Sequence, residues 1–140
     1  MNTSTRSISN TAQPVGNRFI LAKVRNQTLA IPTGWVAEIL RVDRKKILNL
    51  PFYQDLVLGI IHQGGRNMPL LSVRLLLGDR QVDLKETLIV VRLGALAGDV
   101  VEVGLVVDQV VSSVMQFELP VDTIVFDTKM MQLDLWQPYT

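Results

Sequence analysis

Cysteine is absent, and histidine occurs once, at His62. The first absence excludes disulfides and thiolate chemistry and fits a reducing compartment. Together the two absences exclude a structural zinc site and any centre built on several histidines. Neither sign of charge dominates: 14 Lys and Arg face 13 Asp and Glu, for a formal net charge of +1. No strong field therefore points at nucleic acid or anionic lipid. No run approaches the ~20 consecutive apolar residues that span a bilayer. The opening segment MNTSTRSISNTAQPVGN has one basic residue and no apolar core, so it reads as neither a secretory signal nor an anchor. It also holds too few apolar groups to offset its ordering entropy. A disordered tail over 1–17, a domain over 18–140 and a cytoplasmic location are the expectations.

What is present is apolar material in short pieces. Hydrophobic residues make up 48% of the 140 residues, enough for a sizeable core in one domain or in two small fused barrels. The organising stretch is 55–78, DLVLGIIHQGGRNMPLLSVRLLLG, where apolar runs over 56–61 and 68–77 flank a polar, glycine-bearing tip. Both runs read as buried strands, and Gly64-Gly65 supplies the positive φ of a tight reversal. Pro69 belongs near a strand start or edge, and 75–78 is a helical turn or strand end closed by glycine. Upstream, 19–24 and 28–31 flank a break of hairpin length, and 35–40 alternates as a strand or forms a helical turn. Residues 41–46 are expected to be a charged connector, and 50–53 an irregular corner. Downstream, 87–93 (TLIVVRL) and 100–107 (VVEVGLVV) form a hairpin, followed by strands over 110–114 and 131–135. Eight or nine short strands at this spacing predict a mostly β chain, a barrel pair or a sandwich.

Catalytic constellations are missing from this pattern. His62 has no nucleophile and carboxylate in a recognisable arrangement, and reads as a locally hydrogen-bonded loop residue. The tip over 64–66 lacks the spacing and the strand-loop-helix context of a phosphate cradle. Asp108 reads as the polar end of a strand, and the basic run over 41–46 has no interleaved aromatics for nucleic acid. Trp35 and Trp136 are core-edge rings or interface anchors, and Met130-Met131 is core filler. A β-rich domain of this kind works by offering surface. A small β-barrel binding nucleic acid or a small ligand is the alternative.

The order of residues carries a resemblance to the CheW family, adaptors that couple chemoreceptors to the histidine kinase CheA. Phe19-Ile20-Leu21 and Ala30-Ile31-Pro32 resemble the family's opening, and Val36-Ala37-Glu38-Ile39 its V-x-E-I block. Leu50-Pro51 through Val57-Leu58-Gly59-Ile60-Ile61 follows the next block. His62 through Val73 stands where the family reads N-L-R-G-x-x-x-P-v-i-D-L, and Gly104 to Val110 resembles G-l-l-V-D-x-V. The chain departs from the pattern with Gly64 at the Arg and Ser72 at the Asp, and its ending after Val114 is shorter. The resemblance, over about 18–114, implies two small SH3-like five-stranded β-barrels around a shared hydrophobic core. One barrel would hold 19–39 and a C-terminal return, with 131–135 as its candidate strand; the middle hairpins would form the other. It further implies a non-catalytic adaptor without cofactor or metal, binding a CheA-like kinase regulatory domain and the cytoplasmic tip of a methyl-accepting chemoreceptor. Val36, Glu38, Ile39, Gly59, Gly64, Gly65 and Arg66 are the candidate contact residues. The Gly64 departure is expected to alter partner engagement.

Overall fold

The computed structural model describes residues 18–49, 57–79, 84–95, 97 and 102–127. Short apolar and alternating runs form nine strands among these residues. They are β1 (Arg18–Val24), β2 (Gln27–Pro32), β3 (Val36–Asp43), β4 (Val57–Gln63), β5 (Arg66–Ser72), β6 (Thr87–Leu93), β7 (Gly104–Val107), β8 (Gln109–Met115) and β9 (Ile124–Val125). One helical turn, α1 (Val73–Leu76), follows β5. The strands build a four-stranded sheet, β8-β1-β2-β9, and a five-stranded sheet, β3-β6-β7-β5-β4. The chain is mostly β, as expected. Among the described residues no helix is long and apolar enough to cross a membrane.

Alternating side chains place three packed layers around these sheets. Val42, Ile61, Met68, Leu70, Leu88, Val90 and Val106 fill the inside of the five-stranded sheet. Ala22, Val24, Leu29 and Ile31 of the other sheet meet Leu71, Val91, Leu93, Leu105 and Val107 in a shared core. Phe19, Leu21 and Ala30 pack on the far side of the four-stranded sheet. β7 supplies both of the first two layers, and all four of its residues are buried. Its unbroken apolar run, GLVV, follows from burial on both faces. Trp35 sits at the core edge, its ring 6.0 Å from Phe126 at 82°.

Several expectations need correction. The 35–40 segment divides: Thr33–Trp35 is a 3-10 turn, and β3 begins at Val36 and runs to Asp43. Only Arg44–Lys46 of the expected connector is a turn. β3 pairs with β6, so Val36 to Ile39 belong to the five-stranded sheet rather than to the barrel of β1 and β2. β7 begins at Gly104, after Glu102 takes a left-handed turn at φ 72°; residues 100–101 of the expected strand lie outside the described residues. The first sheet gains β9, which pairs in parallel with β2, a strand the sequence pattern did not signal. The tail over 1–17, the corner at 50–53 and the expected strand at 131–135 lie outside the described residues. Pro69 is tolerated within β5 because β5 acquires its second neighbour, β7, only from Leu70 onward. Ser72 accepts a hydrogen bond from the Leu75 amide at 3.2 Å, capping α1 as an aspartate would.

Two devices fix this arrangement. Leu48 bridges to Ile60 by two backbone hydrogen bonds of 2.8 and 2.9 Å, closing the five-stranded sheet toward a barrel at one end. The bridge needs a glycine beside it: Gly59 has φ 150°, and a Cβ there would lie 2.5 Å from the Leu48 carbonyl oxygen. Between the sheets, Asp108 accepts hydrogen bonds from the Arg25 amide at 2.6 Å and from Arg74 Nε and Nη2 at 3.1 Å each. Its own amide donates to the Lys23 carbonyl at 2.9 Å.

Gly59→Ala is expected to lower stability by about 1–3 kcal/mol, the cost of a strained backbone, or more where the bridge parts. Asp108→Ala is expected to lose about 1.5–3 kcal/mol, the contribution of hydrogen bonds to a charged group. Urea unfolding midpoints measure both.

Candidate partner-binding site

The barrel that Leu48 closes at one end is splayed at the other. There β3, an edge strand of its sheet, faces the β4–β5 tip. Gly64 and Gly65 turn this tip with φ of 61° and 76°, the left-handed pair that a two-residue hairpin loop requires. His62 Nδ1 lies 2.9 Å from Asn67 Oδ1 across the hairpin, the local role expected of it. Between tip and edge lies a cleft of about 210 Å3, lined by Glu38, Leu40, Gly64, Arg66, Met68 and Glu102 among others. Three of the sequence candidates, Glu38, Gly64 and Arg66, thus share one concavity.

Side chains alternate along β3, so its other side faces a different hollow. Ile39, 45% exposed, joins Arg41, Ile89, Gln109 and Val110 around a groove of about 370 Å3 between the two sheets. β3 is therefore a wall shared by two concavities: one carries Glu38, Arg66, Arg92 and Glu102, and the other sets Ile39, Ile89 and Val110 beside Arg41, Asp108 and Gln109. Val36 is half-buried and packs against the shared core. Gly59 is buried, with the Leu48 backbone in the space a side chain would take, so its glycine requirement is internal to the barrel. Gly65 is exposed at the tip and opens into free space.

Charges in the cleft form a chain of alternating sign that sequence reasoning missed. Arg66 Nη1 donates to both Glu102 oxygens at 2.8 Å. Arg92 Nη1 donates to Glu102 Oε1 at 3.1 Å, while Arg92 Nε reaches Glu38 Oε1 at 2.9 Å. Arg92 was detectable as the one charge in the apolar run TLIVVRL, since a charge in a strand buried on both sides must find a partner. The Arg66 hydrogen bond, reinforced by the charges of Arg66 and Arg92, holds the Glu102 carboxyl below its ordinary 4.5 against some loss of hydration.

A CheW-like domain model matches residues 18–124. The chain belongs to the CheW-like family. CheW-like domains are non-catalytic scaffolds. Among solved structures, the chain is similar to the scaffolding protein TtCheW from Thermoanaerobacter tengcongensis, with a TM-score of 0.57 and 18% identity. That similarity covers 71% of this chain and 65% of the solved one, and at this identity it speaks for the fold. No curated protein matches the sequence.

Because the folded-state pKa of Glu102 is lowered, its stabilising contribution is complete above about pH 4.5 and is lost as pH falls through the lowered value. Glu102→Gln is expected to remove that acid-side loss from the pH dependence of the unfolding midpoint, leaving the losses from other carboxylates in place.

Proposed function

We propose that this chain is an adaptor coupling methyl-accepting chemoreceptors to a CheA-type histidine kinase in a chemotaxis, phototaxis or pilus-motility array. The observation that carries this reading is the position of β3, an exposed edge strand standing between two distinct concavities within a CheW-like domain. One partner would meet the charged cleft and the other the inter-sheet groove, so both can be held at once. The cleft suits the kinase regulatory domain, where Glu38 and Arg66 at the rim select a complementary surface and tune specificity more than affinity. The groove, with apolar Ile39, Ile89 and Val110 beside Arg41, Asp108 and Gln109, suits an amphipathic helical receptor tip, with Ile39 as its anchor.

The mechanism is scaffolding. Holding receptor and kinase together makes each further contact intramolecular, and linked weak contacts across an array gain avidity without a single tight interface. A change of receptor conformation then shifts kinase activity through the shared wall. This function places the chain in the cytoplasm, beside membrane-held receptors.

Co-purification with kinase regulatory-domain and receptor-tip fragments from the same source tests the reading. Glu38→Lys is expected to weaken kinase capture, and Ile39→Asp to weaken receptor capture about tenfold, as expected for losing 1–2 kcal/mol of apolar contact. A wild-type protein that captures neither fragment, or variants that bind both fragments as well as wild type, would refute the assignment.

A further inference from the structure

A tip built on two adjacent left-handed glycines is costly to order, because glycine has the most backbone freedom to lose. A Cβ at Gly64 or Gly65 would find nothing within 4 Å, so the tip gains no packing there. Within the hairpin it is held by the strand pairing and the His62–Asn67 contact. Among the described residues, the one side-chain ion pair that ties it to another element is Arg66 to Glu102, 36 residues apart.

Glu102 is itself held in an unusual conformation. Its φ of 72° is uncommon for a residue with a side chain. The flanking backbone secures it: the Glu102 amide donates to the Leu93 carbonyl, and the Leu93 amide donates to the Val103 carbonyl, both at 2.9 Å. The carboxylate is thereby fixed to the end of β6. From there it receives Arg66 of β5 and Arg92 of β6, and Arg92 in turn reaches Glu38 on β3.

We propose that Glu102 is a positioning residue: its carboxylate tethers the β4–β5 tip through Arg66 and keeps Arg92 directed at the β3 edge, so that it sets the width of the cleft. The tether is a property of the free protein. Its consequence for partner binding rests on the adaptor reading.

The test is 15N relaxation on the full chain, with the tip amides of Gly64, Gly65 and Arg66 as reporters. In the wild type these keep order parameters near those of the sheets. Glu102→Gln, which preserves shape, is expected to lower them to about 0.6 or less while β6 and β7 are unchanged. Arg66→Gln should reproduce the effect, and the double variant should add nothing to either single one. Glu38→Gln should leave the tip in place, because Glu38 meets Arg92 and not Arg66.

Acid supplies a readout that a merely structural role would not give. Arg66, Arg92 and Glu38 are the charged groups linked into this chain, and among the four only Glu102 and Glu38 can lose charge in acid. The wild-type tip should stay ordered through pH 4.5 and loosen only as pH falls through the lowered value of Glu102. The Glu102→Gln tip should be loose at every pH, with no acid step. A tip equally ordered in Glu102→Gln and wild type at neutral pH, or an acid step that survives in Glu102→Gln, overturns the proposal. Partner capture is not part of this readout, so failure of the tether and failure of the adaptor reading are separately visible.

Discussion

The carboxylate of Asp108 decides how the two sheets stand to one another. Hydrophobic burial brings them together, but burial has no direction and leaves their relative angle open. Asp108 lies where the chain leaves β7 of one sheet and enters β8 of the other. It holds the Arg25 amide of the β1–β2 turn with one oxygen and grips the Arg74 guanidinium of α1 with both. Charge-assisted, bidentate contacts of this kind fix geometry as well as adding energy. The inter-sheet groove inherits its shape from the junction, since Asp108, Gln109 and Val110 form part of its wall.

Much of the fold was legible because burial writes itself into short apolar runs. The hairpin around Gly64-Gly65, the β6–β7 pair and the buried run of β7 all followed from period and composition. Sheet membership did not, because β3 alternates in the same way whichever neighbour it pairs with. β9 escaped because two residues carry no period. The site was half legible. Glu38, Gly64 and Arg66 do converge on one cleft, while Gly59, named with them as a contact candidate, is buried against Leu48. A glycine that makes room for another backbone looks the same in sequence as one that makes room for a partner. Arg92 and Glu102 were invisible as a pair with Glu38 and Arg66, because their partners lie 54 and 36 residues away.

The two departures from the family pattern have different physical outcomes. Ser72 keeps the helix-capping task that an aspartate would perform, with a neutral oxygen in place of a charged one. Gly64 removes a side chain from the tip altogether. Arg66, 64% exposed, and Arg92, 22% exposed, still bring two cations to the cleft, now from β5 and β6. Both are paired with the carboxylates of Glu102 and Glu38, so the cleft carries balanced charge while the tip above it is bare backbone. Under the adaptor reading, a partner would approach that backbone closely and be selected by the fixed charges below.

The placement of β1 has a consequence for synthesis of the chain. β1 lies between β2 and β8, and Arg18 meets Met115 across 97 residues. At roughly 5–20 residues per second, the β1–β2 hairpin waits roughly 5–20 s on the ribosome before β8 has been made. Throughout that interval the free edge of β1 and the apolar faces of Phe19 and Leu21 are open to any strand nearby. Among the described residues β8 and β9 are the last strands made, so this sheet is completed late, and the edge of β1 uncovered until then is the point at which crowding in the cell bears on its yield.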